Sequence, residues 1–258
     1  MKHVLHAEWT KLRTLAGTFW LLLAAAALTA TVSAAAAAAT RCPSGGCADD
    51  PARISLTGIY LGQAVIAVLA VMAVSGEYGT GMIRLTLTAT PRRLTVLAAK
   101  AAIVAGLALA AGVIAVLGSL LAGRLILPGH GISPAHGYPA ISPGDGAMLR
   151  AAFGSVLYLA LIALLSLGIA TAVRDSAAAI GIVLGLLYLF PIVGAAIGNA
   201  QLDRHIQQIG PMTAGLAVQA TTGLDRLPIG PWAGLGVLAA WAAAAMLAGG
   251  LLLSRRDA

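Results

Sequence analysis

Charged residues are so sparse in this chain that the gaps between them act as a ruler. Six gaps are long and apolar enough to cross a bilayer: residues 14–40, 54–76, 101–123, 151–173, 176–202 and 227–254, each of 23 to 28 residues. At about 1.5 Å of helical rise per residue, the shortest reaches about 35 Å, more than the roughly 30 Å of a hydrocarbon core. With 59% of residues hydrophobic and 10% charged, the chain also lacks the means to coat a water-soluble globule. The expected fold is an all-α polytopic membrane protein, one transmembrane domain over residues 1–258, with helices over about 17–39, 55–75, 94–121, 149–173, 177–198 and 231–253.

Two further uncharged stretches do not qualify. Residues 125–144 hold four prolines and read as an aqueous loop. Residues 205–223 carry Gln207, Gln208, Pro211 and Gln219, too polar for a free-standing span, although 212–220 fits a short re-entrant or interfacial helix within the loop 199–229. The apolar core from Phe19 to Ala39 is too long for a secretory signal, so the first segment is expected to remain as a helix.

Alternate sides of six spans carry ten and six Lys/Arg residues, which places both termini in the cytoplasm. The net charge of +7 therefore reads as topology and contact with anionic lipid, not as a nucleic-acid surface. Cys42 and Cys47 bracket a Pro-Ser-Gly-Gly turn in the first external loop, where a disulfide is expected and free thiols are the alternative; two cysteines with no nearby histidine do not make a metal site.

No Asp, Glu, Lys, Arg or His lies within the six intervals, which argues against ion-driven antiport through a buried carboxylate and against haem ligation. No phosphate-binding loop occurs either, so any nucleotide chemistry must come from a partner. In the fifth span, Gly181 with Gly185 and Gly194 with Gly198 suit close helix contact, either with a second copy or within the chain.

The side of the membrane that carries the termini has more to say. Leu5, Trp9, Leu12 and Ala16 recur at helical spacing, so residues 1–15 read as an amphipathic interfacial helix with Trp9 at headgroup level and Lys11 and Arg13 on anionic lipid. Between the second and third spans, residues 77–93 read as break, short helix, break: glycines Gly79 and Gly81, an apolar Met82-Ile83 pair with Arg84, then Thr90-Pro91 as a helix restart before Arg92 and Arg93. A plain connection needs only a few polar residues, so this segment looks built to touch another protein.

The run Gly76-Glu77-Tyr78-Gly79-Thr80-Gly81-Met82-Ile83-Arg84, followed by Pro91-Arg92-Arg93 and Lys100, resembles the cytoplasmic loop of type-two ATP-binding-cassette (ABC) transporter permeases, particularly alanine-rich bacterial ones. Ala7-Glu8-Trp9-Thr10-Lys11-Leu12-Arg13-Thr14 and the closing Leu251-Leu252-Leu253-Ser254-Arg255-Arg256-Asp257-Ala258 are similar to the ends of such chains.

The resemblance implies the permease subunit of an exporter in a bacterial cytoplasmic membrane. It would pair with a second copy or a paralogue and with separate ABC ATPase subunits, which would bind ATP and magnesium, leaving this chain without a cofactor and without catalysis. Residues 79–88 would form the coupling helix that docks on the ATPase, with Glu77 and Arg84 tying it to the N-terminal connecting helix or to the ATPase itself. The substrate route would be lined from the second and fifth spans, by Tyr60, Gln63, Met72, Tyr188 and Phe190, and its lack of charge suits hydrophobic or amphipathic cargo. The rival expectation is a polytopic protein that needs no ATPase, a secondary transporter or an assembly scaffold.

Overall fold

The computed structural model describes residues 9–10, 16–41, 50–79, 81–82, 93–132, 138, 144–196 and 198–256. Among these every regular element is helical. The chain runs through α1 (Ala16–Ala39), a short α2 (Pro51–Ser55), α3 (Ile59–Gly79), α4 (Arg93–Ile126), α5 (Gly146–Val173), α6 (Ser176–Ala196), α7 (Ala200–Ile209), α8 (Pro211–Gly215) and α9 (Pro231–Arg256). Six of them, α1, α3, α4, α5, α6 and α9, are long and apolar enough to cross a membrane. The chain is a multi-pass membrane protein.

Alanine-rich helices offer little side-chain interlock, and lipid supplies no hydrophobic drive between them, so packing here depends on close backbone approach. A Cβ on Gly62 of α3 would lie 1.9 Å from Thr29 Oγ1 of α1, and one on Gly58, just before α3, 1.9 Å from the Thr29 carbonyl oxygen. The seam is polar as well as tight: the Gly58 amide donates to Ser33 Oγ at 3.0 Å, and Ser119 of α4 reaches the Thr29 carbonyl at 3.5 Å. At the α5–α9 crossing, a Cβ on Gly168 would fall 2.5 Å from the Ala245 carbonyl carbon. The core between these seams is built from α3, α4 and α5, where Ile59, Ile66, Tyr158, Leu159 and Ile162 are fully enclosed.

Several element boundaries differ from the charge-gap reading. The second span begins at Ile59 instead of near residue 55, because Asp50 caps α2 as a separate helix, accepting from the Ala52 amide at 3.0 Å. It then runs on to Gly79, so Glu77, Tyr78 and Gly79 form its last turn and do not belong to the loop. The third span continues to Ile126, well past residue 121, and a 3-10 turn at Leu127–His130 follows, closed by Gly131 in the left-handed region (φ 88°). The fifth span ends at Ala196, and Asn199 caps an amphipathic helix, α7, where the sequence predicts part of an external loop.

Residues 211–219 form α8 and a 3-10 turn, and most of their side chains are buried against α5 and α9. Glycines make the room: a Cβ on Gly154 would overlap Val218, and one on Gly234 would overlap the Ala214 carbonyl. Of the two glycine pairs in the fifth span, Gly194 packs on Asp203 of α7, within the chain, whereas Gly181 and Gly185 have no atom of the described chain within 4 Å of a built Cβ.

Candidate functional site

The residues that the sequence singled out gather at the two ends of α3, which Tyr60 and Glu77 mark about 26 Å apart. At the Glu77 end, Glu77 Oε1 lies 2.7 Å from Lys100 Nζ on α4, with side chains only 12% and 5% exposed. Lys100 sits two turns into α4 and also reaches the Ala73 carbonyl at 3.5 Å. Burying two charges costs several kcal/mol per ion before their attraction returns it, so the pair holds only in close geometry, and removing one partner leaves the other stranded. Glu77 is thus turned into the bundle toward Lys100; Arg84 lies outside the described residues.

The neighbouring residues extend this contact to four more helix ends. Ser75 accepts from Ser176 Oγ at 2.8 Å, joining α3 to the start of α6. The Tyr78 ring stacks under the Arg174 guanidinium, 5.4 Å from ring centre to Cζ. Arg174 closes α5 in a left-handed conformation (φ 68°), strained for a residue with a side chain, and donates to the Leu252 carbonyl of α9 at 3.5 Å. Arg93 donates to the Leu253 carbonyl at 3.1 Å. Two guanidiniums therefore sit on carbonyls in the last turns of α9, where the helix dipole favours cations. Asp175 caps α6 through the Ala178 amide at 2.7 Å.

Beyond this clamp the chain presents apolar side chains: Met82 is 44% exposed, Gly81 before it takes φ 71°, and Leu94 and Trp9 are exposed too. Thr80, Ile83, Arg84 and Arg92 of the coupling segment, Lys11 and Arg13 of the connecting helix, and Cys42 and Cys47 lie outside the described residues.

At the Tyr60 end the contacts that join α3 to its neighbours are neutral. Gln63 is fully buried; its Oε1 accepts from Tyr158 OH of α5, and its Nε2 lies 3.2 Å from the Tyr60 carbonyl and 3.1 Å from Met212 Sδ of α8. Tyr188 OH of α6 donates to the same Tyr60 carbonyl. The structure thus brings together three of the five path residues, Tyr60, Gln63 and Tyr188, with Tyr158 and Met212 added. Met72 stands apart, exposed on the face of α3 opposite Gln63. Phe190 faces α9 instead, packed edge-on to Trp241 at 6.5 Å, while Trp241 Nε1 donates to the Ile209 carbonyl at 3.0 Å. The five residues do not share one surface of the subunit.

Among the described residues no three His, Cys, Asp or Glu side chains converge as a metal site would require. The contacts at one end join five of the six spans, α3, α4, α5, α6 and α9, largely through charge, and those at the other join α3, α5 and α6 to the buried segment 211–219 through neutral groups.

Residues 4–192 match the family model for the ABC-2 family transporter protein, well over half of the chain. The chain belongs to that family. No curated protein matches it. The matched part of this ABC-2 permease takes in α1 to α5, nearly all of α6 and the whole Glu77–Lys100 pair. The buried segment 211–219 and the last span lie beyond it. Membership makes the chain a membrane-spanning transport subunit, of a kind that generally works with an ABC ATPase and often as a dimer.

Sequence reasoning missed Lys100 as the partner of Glu77, because nothing in their spacing links residues on two different spans. Arg174 escaped for the same reason. Asp50 did leave a signal: an Asp directly before a Pro is an N-cap followed by a first-turn proline.

Proposed function

We propose that this ABC-2 permease exports a hydrophobic or amphipathic solute from a bacterial cytoplasm, with both termini inside and the work supplied by a separate ATPase. Two copies, or this chain and a paralogue, form the conduit. The ATPase binds ATP and magnesium, and this chain carries no cofactor of its own. The docking segment follows α3, from Thr80 to Arg93, with Glu77 and Tyr78 as its root, and Trp9, Lys11 and Arg13 belong to a connecting helix on the same side.

The observation that supports this reading is the clamp behind the segment. Glu77–Lys100, Tyr78–Arg174 and Ser75–Ser176 tie the root of the docking segment to α4, α5 and α6, and Arg93 ties its far end to α9. A push delivered at Met82 is therefore passed to five of the six spans at once, as a rigid-body transition needs. The uncharged interior of the spans suits cargo of low polarity.

The test is a single cysteine at Met82 in a chain whose Cys42 and Cys47 are replaced by Ser. Crosslinking of Met82→Cys to a co-purifying ATPase, with protection from a membrane-impermeant maleimide in intact cells, is the expected result. Labelling of that cysteine from outside would refute the assignment.

A further inference from the structure

The Tyr60 end of the bundle carries a cavity of about 910 Å³ between α2, the start of α3 and the chain leading into α9. That volume lies within the roughly 300–1,000 Å³ of small-molecule sites. Its apolar wall includes Ile54, Tyr60, Leu227 and Pro228, and its charged lining residues are Asp50, Arg53, Asp225 and Arg226.

These four charges are not equivalent. Asp50 Oδ1 accepts from the Ala52 amide at 3.0 Å and from Thr221 Oγ1 at 2.6 Å, and its Oδ2 accepts from the amides of Thr221 and Thr222. Four donors on two oxygens occupy that carboxylate, so it serves the frame. The frame is fastened further by Arg150 Nη2 on the Ala220 carbonyl and Gln208 Nε2 on the Pro228 carbonyl, both at 2.7 Å. Arg53 and Arg226, by contrast, are exposed and make no ion pair among the described residues. They outnumber Asp225, the one lining carboxylate not taken up by the frame.

We propose that this vestibule binds the head of an anionic amphiphile, its phosphate or carboxylate held by Arg53 and Arg226 and its apolar part against Tyr60, Ile54 and Leu227. Planar guanidiniums meet such heads with two parallel hydrogen bonds each, and the apolar wall gives the tail a surface out of water. Only Tyr60 is shared with the route named above. The site requires neither an ATPase nor a particular orientation of the chain, so it stands or falls separately from the export reading. The amphiphile is either a lipid of the surrounding leaflet or a solute in transit, and both present the same chemistry.

Full-length protein in an uncharged detergent, titrated with dodecyl phosphate, tests the proposal. The wild type binds saturably, and the R53Q/R226Q double variant binds at least tenfold more weakly; R53K/R226K, which keeps the charge but loses the fork, falls between. Arg124→Gln, an exposed cation elsewhere on α4, leaves the affinity unchanged. Mass spectrometry of the intact protein separates the sources: phosphatidylglycerol retained by the wild type and lost from the double variant marks a resident lipid. No retained lipid, with dodecyl phosphate binding still dependent on both arginines, marks a solute in transit. Equal affinities for the wild type and R53Q/R226Q, an equal loss with Arg124→Gln, or no saturable binding by the wild type would overturn the proposal.

Discussion

The two ends of α3 solve the same problem by opposite means. At the Glu77 end, α3 is joined to its neighbours through a buried ion pair, a cation over an aromatic ring and guanidiniums on helix carbonyls. At the Tyr60 end it is joined through an amide, two phenols and a thioether, all uncharged. Charged contacts in a low dielectric are strong when complete and costly when halved, whereas neutral ones lose less when one member goes. The difference suits a lever gripped firmly where it is pushed and more loosely where it opens.

That contrast predicts a ranking of effects. Lys100→Met leaves Glu77 buried without its cation and costs about 3–5 kcal/mol, lowering the midpoint of thermal unfolding in detergent by about 10 °C. The double variant Glu77→Gln/Lys100→Met recovers most of it, and a double variant as unstable as the single one would show that the contact is more than a charge pair. Gly215→Ala comes next, since its Cβ would lie 2.7 Å from the Tyr158 ring; overpacking there costs about 1–3 kcal/mol, read in the same melting curve. The smallest loss belongs to Tyr158→Phe, which removes one neutral hydrogen bond between spans, worth about 0.6–2 kcal/mol. If Tyr158→Phe proved more damaging than Lys100→Met, the contrast between the two ends would be reversed.

Six spans were legible in the sequence because each is an uninterrupted uncharged run, and length alone decides whether such a run crosses a bilayer. Their far ends were less legible because the next charge was read as the end of a span. Lys100 neutralises Glu77 inside the bundle, so α3 runs past it, and Arg124 rides on the last turn of α4 without stopping it. Helix α7 was hidden by the same rule. Its Leu202, Ile206 and Ile209 recur at helical spacing, but Asp203 and Arg204 divide them between two uncharged gaps. The site was legible as a segment and not as a set of partners. Glu77 and Tyr78 stood out by position, but Lys100 and Arg174 reach them across 23 and 96 residues of chain, a distance no local pattern spans.

ATP hydrolysis by the co-purified complex in proteoliposomes shows whether the Glu77 end passes an ATPase's motion into the spans. Lys100→Gln and Glu77→Gln should each leave the ATPase bound yet lower the hydrolysis that depends on the permease at least fivefold, while Met72→Ala, on the opposite face of α3, leaves it unchanged. Hydrolysis and complex formation that are the same with and without the Glu77–Lys100 pair would contradict the account.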